Sequence, residues 1–371
     1  MNFDLSDEQK MLAEQIRRLL AEHSSPDRLR ALIDAKAAWD EPLWRELAEM
    51  GVMGAAIPEE YGGLGLSHLD LAVVAHELGR ANAAVPFASS IGYAAEALRA
   101  LGGETQRGEW LPQLASGELV AAIAHAEGSS DIWSSQSSAT FADGKLNGTK
   151  WPVADLVIAD IAIVACQAEG LPAFALVDLR GSGVTREALE SFDTLRSHGR
   201  LILDGAPAQL LPVNDPVELQ KLLDRFAVFT AFEQIGGAEA CLYMARDFAM
   251  ERRIFARPLA AYQAIKHKLA DLFILVELAR ASAYFAAWAA INDAPELRSA
   301  AAAARLAAID AFEQSARDNI QVHGGIGYTY EANCHFYYRR ERLLAMLLGG
   351  RARWSKRLLN AIPDTPRPIA A

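Results

Sequence analysis

Apolar positions in the first third of the chain recur at helical spacing. Met11, Leu12, Ile16, Leu19 and Leu20 follow Ser6-Asp7-Glu8-Gln9, where a serine hydroxyl and a side chain three residues on can satisfy the open amides of a first turn. The same period predicts helices over 42–50, 68–79, 87–101 and 104–115, with Pro42 at a first helical position that needs no N–H. The run Pro58-Glu59-Glu60-Tyr61-Gly62-Gly63-Leu64-Gly65 separates two of these helices. It reads as a packing turn, because glycine tolerates positive φ. From about 118 to 213 the apolar runs shorten to 119–123, 156–164 and 173–177, divided by Gly, Asp and Ser. Asp143-Gly144, followed by Leu146-Asn147-Gly148, supplies strand and hairpin chemistry. Beyond 216 the helical period returns and predicts helices over 216–253, 261–291, 295–322 and 333–360, before a loose tail with prolines at 363, 366 and 368.

The expected fold class is α+β, mainly α. An N-terminal helical domain spans 1–115, a middle β-barrel or sandwich domain 116–215, and a C-terminal four-helix bundle 216–371. Helices this long carry apolar stripes that one small domain does not cover, which points to a bundle or an oligomer core.

With 371 residues, 51% of them hydrophobic, the chain buries substantial cores. A net charge of −11 argues against general attraction to nucleic acid or anionic lipid. Cys166, Cys241 and Cys334 form no CxxC pair and read as buried thiols rather than a disulfide or zinc framework. Met1-Asn2-Phe3-Asp4-Leu5 lacks the basic start and apolar core of a signal peptide, so a cytoplasmic setting is expected. The alanine-rich tracts 281–291 and 300–311 read as closely packed helices, too short to span a bilayer. The sequence carries no HExxH metal motif, no G-x-S-x-G elbow and no P-loop.

Four landmarks stand in order along this framework. They are the 58–65 turn, Glu251-Arg252-Arg253-Ile254-Phe255-Ala256-Arg257-Pro258-Leu259, the stretch from Gln263 to Asp271, and Gln321-Val322-His323-Gly324-Gly325-Ile326-Gly327-Tyr328. Through them the chain resembles the acyl-CoA dehydrogenase family over nearly its whole length. The resemblance implies bound FAD. Arg252 and Phe255 match an Arg-x-x-Phe pattern whose arginine contacts the FAD pyrophosphate, a task that suits the fixed fork of a guanidinium. The bland reading of Arg252 is a basic helix end that favours the C-terminal dipole. Gln263 matches a family glutamine near the flavin cofactor. Gln321, Gly324, Gly325 and Gly327 match a loop that reaches the ADP half of FAD held by a neighbouring subunit, which implies a dimer or a tetramer made of dimers. Bare glycines let a dinucleotide approach backbone amides, although GGxG alone is only a helix cap.

The middle domain departs from the family pattern. Where family members carry Thr-Glu-Pro before Gly-Ser-Asp, this chain has Ala124-His125-Ala126 and then Glu127-Gly128-Ser129-Ser130-Asp131. By resemblance Ser130 touches the CoA chain of the substrate. The family's Trp-Ile-Thr strand is Trp151-Pro152-Val153 here, with the tryptophan kept and the hydroxyl lost.

The implied reaction removes an α-proton from an acyl-CoA thioester with a carboxylate while the β-hydride goes to flavin N5. The family's usual glutamate is replaced by Leu348, before Gly349 and Gly350, and a second family position for the base aligns with Phe226. Two acids on the Phe226 helix remain as candidate catalytic bases, Glu233 first and Asp224 second, beside the alternative of no base. Phe229, Phe232 and Ile235 flank Glu233, an apolar setting that would raise a carboxylate pKa. The competing reading pairs Glu233 with an arginine such as Arg225 or Arg252. The family implies an enoyl-CoA product and electron-transferring flavoprotein as acceptor. The alternatives are a non-catalytic partner subunit that completes the FAD site of a paralogue, as in family branches acting on bulky CoA thioesters such as steroid side chains, and an oxidase.

Overall fold

The computed structural model describes residues 5–128 and 137–362. It opens with helices α1 (Asp7–His23), α2 (Pro26–Asp34), α3 (Glu41–Glu49) and α4 (His68–Arg80). A π-helical segment, Ala88–Ala95, then runs into α5 (Glu96–Leu101), and α6 (Glu104–Ala115) closes the block. The cap read at the start of α1 forms reciprocally: Gln9 N–H donates to Ser6 Oγ at 3.2 Å, and Ser6 N–H to Gln9 Oε1 at 3.0 Å. Gly63 in the 58–65 turn has no space for a side chain, since a Cβ there would lie 2.0 Å from the Ile57 carbonyl oxygen.

Seven strands follow: β1 (Ala121–Ala124), β2 (Thr140–Ala142), β3 (Lys145–Ala154), β4 (Ile161–Ala168), β5 (Leu171–Asp178), β6 (Val184–Leu189) and β7 (His198–Leu210). Pairings run β4-β2-β3-β7-β5 and return from β5 to β4, so five strands close into a small barrel, with β1 on β4 and β6 on β7. Closure leaves few open edges for stray pairing. Asp143 and Gly144 form the two-residue β2–β3 turn with φ of 50° and 74°, the left-handed pair that matches strand twist.

The last block holds α7 (Pro216–Glu251), a short hairpin of β8 (Arg253–Ile254) and β9 (Arg257–Pro258), α8 (Gln263–Ile291), α9 (Leu297–His323), α10 (Cys334–Met346) and α11 (Arg351–Ala361). Buried alanines, among them Ala279, Ala283 and Ala286 on α8 and Ala301, Ala304 and Ala308 on α9, leave room for close helix packing. Glycine does the same where α4 crosses α7: a Cβ on Gly79 would lie 2.0 Å from the Glu233 carbonyl oxygen, and one on Gly236 2.0 Å from that of His76.

Two expectations need correction. The alanine tract at 281–291 is the end of a continuous 29-residue helix that is, by length and composition, apolar enough to cross a membrane. Along it Leu272, Val276 and Ala279 are buried, while Phe273, Ile274 and Leu278 are exposed. The single helix expected over 333–360 is two, broken at residues 347–350, where Leu348 and Gly349 take φ of 62° and 89°. Two successive glycines weaken the helix there. Arg305 grips the carbonyl oxygens at the end of α10, donating to Leu344 and, at 2.8 Å, to Leu347.

Candidate functional site

The ends of α7 and α9 are brought together by packing. Ala245, Ala249 and Val322 form a small buried cluster, flanked by Leu259 and Ile265. One layer out, the Phe248 and His323 rings stack at 4.1 Å. These contacts gather Arg252, Phe255, Gln263 and the 321–327 turn at one end of the bundle. Arg252 closes α7 and is exposed. Phe255 and Ala256 form the β8–β9 turn, both left-handed (φ 48° and 64°), with Phe255 90% exposed. A strained, fully presented phenylalanine is a costly arrangement unless something else covers it.

The glycines of the turn divide by role. Gly324 has φ 66° and ψ −141°, a conformation essentially restricted to glycine. A Cβ on Gly324 or Gly325 would meet nothing within 4 Å, so their backbone is open to the outside. Gly327 is needed for packing instead, because a Cβ there would lie 2.6 Å from the Ile320 carbonyl oxygen. A bare glycine main chain at the same end of the bundle as an exposed guanidinium fits the diphosphate of a dinucleotide in shape and charge, while the Gly324 N–H itself donates to the Ile320 and Gln321 carbonyls that end α9. A cleft of about 730 Å³ adjoins the turn, lined by Gln321, Gly327, Lys268, Arg317 and Arg339 among others.

The acids tell a different story. Glu233 is 2% exposed, and its Oε1 accepts from Arg196 at 2.5 Å and lies 3.5 Å from Arg340. Arg340 also donates to Asp193 at 2.5 Å. The carboxylate of Glu233 therefore faces guanidinia rather than the apolar setting expected from Phe229, Phe232 and Ile235. Its partners are not those named from sequence either: Arg225 pairs with Glu96 at 3.2 Å, and Arg252 lies at the far end of α7. Asp224 is buried and holds Arg357 at 2.6 Å. Burial pushes its carboxyl up to about 7, with Arg357 pulling the other way. Each candidate acid thus sits in a buried ion pair. Leu348 and Phe226, at the two family positions for the base, are both fully buried. Ser130 lies outside the described residues.

Three features were missed in the sequence. Lys150, fully buried on β3, donates to Glu127 at 2.5 Å and to Ser137 at 2.9 Å. At the end of β1, burial pushes His125 down to about 3, with Lys150 and Arg353 adding repulsion, so its imidazole is neutral near pH 7. Arg305 is buried too; its signal was available, a lone arginine within the alanine run of α9.

A helical block, a small closed barrel and a long-helix bundle that ends in a bare glycine turn define a protein of acyl-CoA dehydrogenase architecture. The chain belongs to the acyl-CoA dehydrogenase family: its residues 6–118 match the family's N-terminal domain and 219–353 its C-terminal domain. It is 31% identical to the acyl-CoA dehydrogenase IpdE2 of Mycobacterium tuberculosis, over 97% of this chain and 99% of that relative. The acyl-CoA dehydrogenase FadE34 of the same organism is 33% identical over 86% of this chain and 42% of its own length. Among solved structures, the Tcur3481-Tcur3483 steroid ACAD superposes with a TM-score of 0.89 at 31% identity, covering 96% of this chain and 97% of that one. The ChsE4-ChsE5 complex from Mycobacterium tuberculosis gives 0.91 at 27% identity, covering 99% and 100%. The family places the chain among oxidoreductases.

Proposed function

We propose that this chain is a subunit of an FAD-dependent acyl-CoA dehydrogenase, which introduces a Cα–Cβ double bond into an acyl-CoA thioester and delivers the electrons to an electron-transferring flavoprotein. The observation that carries the reading is the bare Gly324–Gly325 backbone at the same end of the bundle as exposed Arg252. FAD, when bound, supplies the acceptor for the β-hydride. Arg252 and the bare main chain at Gly325 would hold its diphosphate, with Gln263 and Gln321 orienting it and Phe255 packing against it. The exposed Phe273, Ile274 and Leu278 of α8 offer an apolar face for a second chain, either another copy or a paralogue. The steroid ACAD among its structural relatives favours a bulky acyl group. The test is the absorbance spectrum of the purified chain before and after addition of a panel of acyl-CoAs. A yellow protein bleached by one of them supports the reading, and a chain that takes up no flavin in any assembly refutes it.

A second reading is favoured by one observation: buried Leu348 stands where the family's base stands. In it the chain completes the FAD site of a paralogous subunit, which supplies the carboxylate. Co-expression with such a paralogue would then yield a yellow, bleachable complex, while the lone chain stays colourless or unbleached. Bleaching of the lone chain rules this reading out.

A further inference from the structure

An imidazole and two carboxylates meet where α4 crosses α7. His76 of α4 sets Nδ1 3.3 Å from Glu77 Oε1 and Nε2 3.0 Å from Glu239 Oε2 on α7. A neutral imidazole carries one N–H, so it satisfies one of these oxygens and turns a lone pair towards the other, whereas an imidazolium donates to both. The backbone under the ring is fixed by the helix crossing, since a Cβ on Gly236 would lie 2.0 Å from the His76 carbonyl oxygen. Charged groups face the ring from every element around it. From α1, Arg17 donates to both oxygens of Glu77 at 3.0 and 2.7 Å, with Glu14 behind it. From α8, Arg280 donates to Glu239 Oε2 at 2.8 Å and lies 3.5 Å from Glu277. Arg80, on α4 itself, is 3.9 Å from Glu239 Oε1. A cavity of about 110 Å³ lies among them, lined by Arg17, His76, Glu77, Glu239 and Arg280.

We propose that His76 is a pH-set clamp between α4 and α7: its protonated ring joins Glu77 to Glu239, and loss of that proton opens the joint. Burial resists ionisation of both carboxyls, yet His76 and the neighbouring arginines hold them below the usual carboxylate range, so both are ionised near neutral pH. Burial also works against a charge on His76, but Glu239 and Glu77 outweigh it and raise the imidazole above its usual 6.5. The side chain is 16% exposed, so the ring exchanges its proton with solvent. A histidine raised on folding stabilises fully below its unfolded value and loses that contribution as pH rises through the folded one. The chain is thereby held more firmly in mildly acidic than in alkaline surroundings. This device is separate from the flavin reading and stands or falls without it.

Urea denaturation of the full-length chain and of His76→Gln, from about pH 5.5 to about pH 9, decides it. Asp224 and Glu341, each pushed up to about 7 by burial, titrate in the same range, so the quantity read is the difference between the two proteins. The unfolding constant of the variant relative to the parent should fall roughly fivefold across that range, the worth of charge in one hydrogen bond. A ratio that stays constant, or grows as pH rises, overturns the clamp. NMR titration of the histidine-labelled parent gives a second reading that needs no stable His76 variant. One imidazole should keep its proton above 6.5 and lose it at lower pH in Glu239→Gln, which leaves the ring in place and removes one acceptor charge. A parent with no imidazole titrating above 6.5, or one whose midpoint is unmoved in Glu239→Gln, overturns the clamp as well.

Discussion

Replacing Glu233 by Gln distinguishes a structural charge from a catalytic one. Glu233 is the carboxylate partner of Arg196, and the side chains of the two are 2% and 9% exposed. Arg340 keeps Asp193 when Glu233 is neutralised, but Arg196 is then a buried cation without a carboxylate in contact. Removing one member of a buried pair costs about 3–5 kcal/mol, because the remaining charge stays desolvated and uncompensated. Glutamine can still accept one hydrogen bond from Arg196, so the lower end applies, roughly 3 kcal/mol. In a chain of this length that corresponds to a fall in Tm of roughly 5 °C by scanning calorimetry. The double variant Glu233→Leu with Arg196→Met should recover most of the loss, since both charges leave together, and the cycle should show coupling of about 2 kcal/mol. A Glu233→Gln protein with an unchanged Tm and abolished flavin bleaching would refute the ion-pair account and make Glu233 the base.

Arg252→Gln should weaken FAD binding roughly tenfold to a hundredfold in a fluorescence titration, the worth of a charge-assisted phosphate contact; unchanged affinity would place the diphosphate elsewhere. Arg305→Met strips the carbonyls of Leu344 and Leu347 of their donor. It should cost about 3 kcal/mol and speed amide exchange at 345–350, and unaltered exchange there would show that the turn holds itself. Burial resists ionisation of Glu77, yet its bonds to His76 and Arg17 bring the carboxyl down to about 2. A lowered carboxyl stabilises the fold above its unfolded value of 4.5 and loses that contribution as pH falls towards 2. The stability gap between the parent and Glu77→Gln should therefore be roughly 3 kcal/mol near neutral pH and close under acid. A gap independent of pH in denaturant titrations would contradict this.

Features set by neighbours in sequence were legible before the structure. The Ser6–Gln9 cap, the Asp143-Gly144 turn and the order of helical and β blocks all follow from local spacing and backbone preference. That the ends of α7 and α9 meet was expected only through family resemblance, and the structure packs them together through Ala245, Ala249 and Val322. What stayed hidden depends on distant partners. Helical spacing shows which face Glu233 occupies but not that Arg196 and Arg340, 37 and 107 residues away, converge on it. The π segment at 88–95 was hidden too, since its uniformly buried, mainly apolar residues read as an ordinary core helix. The 347–350 break was readable from Gly349-Gly350 and was overlooked, because the apolar residues before it continue the helical period.

The grip of Arg305 on the end of α10 has a consequence for how the bend is encoded. Its course is held by an arginine on main-chain oxygens and by Gly349 and Gly350 beyond it. Position 348 is nevertheless a demanding one, because its side chain is fully sequestered and its backbone is left-handed. A leucine meets that setting without loss of hydration, whereas a carboxylate there would need a cation beside it or would take up a proton.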